Sequence, residues 1–151
     1  MTQSIPQVSL YEQDFALWID DTITKLKAGK FEQLDIGNLV EEIEGLGRSD
    51  KRELRNRLNV LLAHILKRSY IDSVRDNGGW ILTIREQRRR LAKLFSDSPS
   101  LKNRIPEIFD EVYQDALEDV RSEYLKIDFP DEWQFSRDVD ALLNDTFWEE
   151  D

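Results

Sequence analysis

The stretch Leu58-Asn59-Val60-Leu61-Leu62-Ala63-His64-Ile65-Leu66-Lys67 is apolar almost all the way round a helix and carries the chain's single histidine. A helix apolar on most of its circumference needs neighbours on several sides, which places it in the middle of a bundle. Upstream, Leu54 extends the same spacing, and Ile36, Leu39, Val40, Ile43 and Leu46 recur at three and four. The spacing predicts one long central helix over 36–70. Gly45 and Gly47 each weaken it by up to about 1 kcal/mol relative to alanine and mark where a kink would fall.

The flanking segments supply the neighbours. Ser9 followed by Glu12 forms a capping box, and Tyr11, Phe15, Trp18, Ile19, Ile23 and Leu26 continue as an amphipathic outer helix that Gly29 stops. Asp35 is a good cap for the central helix. Asn77-Gly78-Gly79 breaks the run after it, and Trp80, Ile81, Ile84, Leu91, Leu94 and Phe95 predict a further helix ending near Asp97. Ser98-Pro99 opens the next, with Pro106 expected to kink or restart it. Its stripe runs Leu101, Ile105, Phe109, Val112, Tyr113, Ala116, Val120 and Tyr124. A short last helix over 136–143 follows, and Phe147-Trp148 is expected to fold back onto the bundle. The expected fold is therefore all-α: a compact helical bundle of about four main helices plus a short C-terminal helix. Its parts are a flexible N-terminus over 1–8, one domain over 9–148 and an acidic tail over 149–151.

Composition narrows the function classes. Apolar residues are 40% and charged residues 34% of 151, spread along the whole length, which argues for a folded chain rather than a disordered one. There is no cysteine, so disulfides and thiol chemistry are excluded, and a reducing cytoplasm is the expected location. The N-terminus lacks the basic and apolar regions of a signal peptide, and no apolar run approaches the roughly 20 residues that span a bilayer. The net charge of −10 hides an asymmetry: 51–105 holds 14 basic and 5 acidic residues, the remainder 7 and 26. Acidic outer helices complementing a basic centre explain this most simply. The alternative is that Arg85, Arg88, Arg89, Arg90 and Lys93 form a nucleic-acid patch. The overall charge repels polyanions, and no aromatic is interleaved for base stacking.

Two polar residues stand out on the apolar side of the helix after Gly79. At about 100° per residue, Gln87 and Arg88 fall inside its stripe. An inward guanidinium needs a carboxylate or several carbonyls, and Glu42, at the edge of the central helix's stripe, is the first-choice partner, with Asp14 or Asp35 next. A register-fixing ion pair is the plainer reading; an anionic-ligand pocket lined by Trp80, Gln87 and Arg88 is the functional one. His64 lies on a second apolar strip and reads as a core histidine, with a general-base role as the sharper alternative. No catalytic residue is assigned, although Glu42, His64 and Arg88 are the candidates for an interhelical enzyme site. One histidine beside Glu41-Glu42-Ile43-Glu44 does not reproduce the Glu-x-x-His pairs of di-iron bundles, and neither a metal nor a cofactor is expected.

These motifs together resemble the family called domain of unknown function 29. The matching residues are Tyr11-Glu12-x-Asp14-Phe15-x-x-Trp18, then Leu34-Asp35-x-x-Asn38-Leu39-x-Glu41-Glu42-Ile43-Glu44-x-Leu46-Gly47, His64-Ile65-Leu66-Lys67, Trp80-x-x-Thr83-Ile84-x-x-Gln87-Arg88 and Ser98-Pro99-Ser100-Leu101. The resemblance implies a compact all-α domain from a bacterium, in the first place a cyanobacterium, and no activity. The family pattern tends toward a Cys-Pro pair before the last helix, where this chain reads Phe129-Pro130. Amphipathic helices without a catalytic constellation make a protein-interaction module the leading expectation, with an unidentified protein partner and a monomer or weak homodimer as the assembly.

Overall fold

The structure is a computed structural model that describes residues 9–150, so the expected flexible segment 1–8 and the last residue of the acidic tail lie outside it. Among the described residues every regular element is helical. They divide into two compact units, with the boundary between Arg48 and Ser49.

The first unit is a helical hairpin. Helix α1 (Leu10–Gln13) is capped by Ser9, whose Oγ accepts from the Glu12 N–H at 3.3 Å. The single outer helix expected from the periodicity is divided at Asp14. Its backbone turns extended (φ −152°, ψ 94°), and its carboxylate takes the Leu17 N–H at 3.0 Å to start α2 (Phe15–Lys27). A side chain that competes for backbone donors ends one helix and caps the next, which apolar spacing does not register. Gly29 closes α2 with φ +72°, a conformation costly for a residue with a Cβ. A short 3-10 turn over Phe31–Gln33 leads to Asp35, which takes the backbone N–H of Asn38 at 3.3 Å and its side-chain amide at 2.7 Å. Helix α3 (Ile36–Tyr70) starts there and runs 35 residues without a break, Gly45 and Gly47 included.

Helix α3 changes character along its length. Within 36–48 no residue is buried, whereas Leu54, Leu58, Leu61, Leu62, Ile65 and Leu66 are wholly buried in the second unit. At about 1.5–3 kcal/mol per buried aliphatic side chain, these residues contribute a substantial part of that unit's core. They pack against α4 (Asn77–Asp97) and α5 (Ile105–Glu123) through Ile84, Leu91, Phe109, Val112 and Tyr113.

Asn77-Gly78-Gly79 forms the first turn of α4 rather than a break before it. The chain reverses earlier, where the Asp76 and Asn77 N–H groups donate to the Ser73 carbonyl at 3.1 and 2.9 Å. Ser98-Pro99 begins a 3-10 segment (Pro99–Arg104), and α5 restarts at Ile105 with Pro106 in its first turn, where its missing donor costs nothing. The acidic outer helix meets the basic centre as the charge distribution implies: Arg55 pairs with Glu111 at 3.0 Å and Lys67 with Glu123 at 3.0 Å.

The chain after α5 folds back onto this core. Phe129 and Trp133 are buried, the Tyr113 hydroxyl donates to the Pro130 carbonyl at 2.5 Å, and Trp133 meets Phe109 and Tyr113 edge-to-face. Burial pushes the Tyr113 hydroxyl up to about 12. Asp138 caps α6 (Val139–Asn144), the expected last helix, by accepting from Ala141. Phe147 and Trp148 then pack against the core, as the sequence predicts. No helix among the described residues is long and apolar enough to cross a membrane.

Candidate functional site

Arg88 is held within the second unit by carbonyls. Its Nε donates to the Leu142 carbonyl at 2.8 Å and Nη2 to the Asp145 carbonyl at 2.5 Å, while its guanidinium lies 5.7 Å from the Trp148 ring centroid. Half-buried, it has its pKa lowered by loss of water, an effect that the Asp145 charge opposes. The partner expected of it, Glu42, sits in the first unit and accepts from the Tyr11 hydroxyl. The guanidinium's need is met instead by the end of α6, whose last carbonyls lack intrahelical donors. Arg88 also lines a cleft of about 590 Å³ with Arg68, Arg85 and Trp148.

The other sequence candidates have structural company. Trp80 is buried and meets Tyr124 edge-to-face at 6.2 Å; it is not among the residues lining that cleft. Gln87 is also buried, accepting from Arg57 Nη1 at 3.4 Å. His64 Nδ1 lies 2.8 Å from the Val60 carbonyl, one turn back, and is assigned as the protonated nitrogen. Burial lowers its pKa, and Lys67 lowers it further. In the basic run, Glu86 takes Arg90 Nε at 2.6 Å and Arg89 Nη2 at 2.5 Å, which holds its carboxyl below the usual range. Lys93 pairs with Asp97 at 3.4 Å. With Arg88 committed to the tail, most of the run already has partners.

Among the described residues, the feature left without a partner is apolar and lies in the first unit. Phe15, Trp18, Ile19, Thr22, Ile23 and Leu26 of α2 form one wall of a groove of about 400 Å³. Leu39, Glu42, Ile43 and Leu46 of α3 form the other. Trp18 and Thr22 are the buried floor, whereas Ile43 and Leu46 keep 60% and 69% of their surface exposed. Phe31, Ile36 and Val40 are exposed on the same hairpin. Tyr11, Phe15 and Trp18 make a ring cluster with centroids 4.9–5.8 Å apart, and the hydrogen bond from Tyr11 occupies the groove's carboxylate, Glu42. Large apolar side chains gathered in this way on one small element form a contiguous exposed patch, unlike the singly scattered apolar residues of an ordinary surface.

Sequence reading takes these residues as core stripes and so misses the groove. The available signal is length: α2 has 13 residues, 36–48 adds 13 more, and two short helices cannot bury both of their own stripes.

No curated protein and no solved structure matches the chain. A family model described as Domain of unknown function DUF29 matches residues 10–148, which takes in both the hairpin and the helical unit, and the chain belongs to that family.

Proposed function

We propose that this chain is a protein-interaction module whose binding element is the 10–48 hairpin. Its groove receives the apolar face of another polypeptide's helix. The observation that carries the reading is the exposure of Phe15, Ile23, Leu26, Ile43 and Leu46 around one groove whose single carboxylate is already hydrogen-bonded. Covering such a surface removes apolar area from water, and its few polar groups demand little in exchange. We take the setting to be the cytoplasm of a bacterium, a cyanobacterium by the resemblance; a chain of 151 residues without cysteine suits a reducing compartment.

Native mass spectrometry tests this on a tagged copy purified gently from its own host, beside an Ile43→Asp/Leu46→Asp variant with unchanged helical circular dichroism. A polypeptide retained by the parent and lost from the variant is the expected result. A parent that retains none, or retains the same species as the variant, would contradict the reading.

A further inference from the structure

We infer that the occupant of the groove is a second copy of this chain, docked so that the two α2 helices lie antiparallel across a two-fold axis beside Ile23. The inference rests on the docking reading above and specifies the partner. Along the outer edge of the groove, Asp20, Ile23 and Lys27 recur at three and four, so they share one face of α2. At about 100° per residue that face adjoins the groove wall formed by Ile19, Ile23 and Leu26. The order along it is acidic, apolar, basic. Reversed, that order is its own complement.

An antiparallel copy centred beside Ile23, between it and Thr24, sets Asp20 opposite Lys27 of the second copy, and Lys27 opposite its Asp20. One symmetric contact thereby satisfies four charges, as an isologous interface requires. In the single chain neither Asp20 nor Lys27 makes an ion pair among the described residues. The neighbouring Asp21 and Lys25 are committed to each other at 2.7 Å.

The acidic excess of the hairpin, nine acidic against four basic side chains over 10–48, does not oppose this contact locally. Glu41 and Glu44 pair with Arg48 on the side of α3 turned away from the groove, and Glu42 is held by Tyr11. Two hairpins joined groove to groove make a four-helix arrangement, which supplies each with the core that two short helices lack.

Sedimentation equilibrium of the full chain tests the proposal, with Asp20→Lys, Lys27→Asp and the double exchange Asp20→Lys/Lys27→Asp. All are checked first for unchanged helical circular dichroism. The parent is expected to be a dimer, each single reversal to weaken it about tenfold through two symmetric contacts, and the double exchange to restore it. A parent that stays monomeric at every loading concentration would overturn the proposal, as would single reversals that leave the dissociation constant unchanged. A monomeric parent that still loses a retained host polypeptide on the Ile43→Asp/Leu46→Asp change overturns the self-pairing alone and leaves the docking reading standing.

Discussion

Arg88 is a side chain whose position was readable and whose partner was not. The helical spacing places it on the apolar side of α4, and charge solvation demands acceptors there. The acceptors turn out to be backbone carbonyls at the end of α6, more than fifty residues away, which carry no side-chain signature. Arg88→Met should therefore cost about 2–3 kcal/mol, because it leaves two carbonyls unpaired and uncouples the Trp148 ring. Thermal melts followed by circular dichroism measure the loss. A red shift in tryptophan fluorescence below the global transition would report release of the tail first. A variant as stable as the parent would contradict the clamp.

His64 gives a second prediction at this scale. Burial sets its folded pKa below the 6.5 of an unfolded histidine. On acidification the unfolded chain takes up the proton first, so His64's contribution to stability is complete above about pH 6.5 and falls as the pH drops toward the folded value. Urea titrations of the parent and His64→Gln should show a shallower loss in the variant across that window. Parallel pH profiles would contradict a histidine whose pKa is lowered by folding.

At the scale of elements, the glycines separate by conformation. Gly29 holds φ +72°, and Gly29→Ala should cost about 1–2 kcal/mol of hairpin stability. Gly45 and Gly47 lie inside α3. A Cβ at Gly47 meets nothing within 4 Å, and one at Gly45 meets only the far end of Arg48 at 3.6 Å. Gly45→Ala and Gly47→Ala should therefore each slow amide exchange across 36–52 by stabilising the helix up to about 1 kcal/mol. Faster exchange in either variant would contradict an unbroken helix.

Most element boundaries were legible because periodicity and caps agree in them. The exceptions have a common cause. Asp14, Asp76 and Ser98 lie where side-chain and backbone hydrogen bonds decide the local conformation: Asp14 caps α2, whereas Ser98 makes no side-chain cap. Apolar spacing alone cannot distinguish a continuing helix from one that ends and restarts within a residue. Asp14→Ala removes such a cap and should lower hairpin stability by about 1 kcal/mol, read as faster exchange of the α2 amides.

Across the whole molecule, apolar side chains are used in two ways. In 49–150 they are buried in a helical core closed by Phe129, Trp133 and Phe147, which yields the all-α fold predicted from the central helix. In 10–48 the same periodicity produces a face that is half open to water, and sequence cannot separate the two uses because both need a stripe at three and four. Only the count of surrounding helices distinguishes a core stripe from a docking stripe. Hydrogen exchange should accordingly be far faster over 10–48 than over 54–66 in a chain held monomeric by Ile43→Asp/Leu46→Asp.

A contact between the open faces of two hairpins at Ile23 brings the two copies of that residue together, and a sequence without cysteine lets one introduced thiol report it. Ile23→Cys is oxidised mildly, beside Val74→Cys, whose position is 94% exposed and lies in the other unit. A disulfide forms readily only where the two Cα atoms approach within about 7 Å. The expected result is a rapid, nearly complete covalent dimer for Ile23→Cys and a chain left largely monomeric for Val74→Cys. Equal, slow cross-linking of the two variants would contradict the contact.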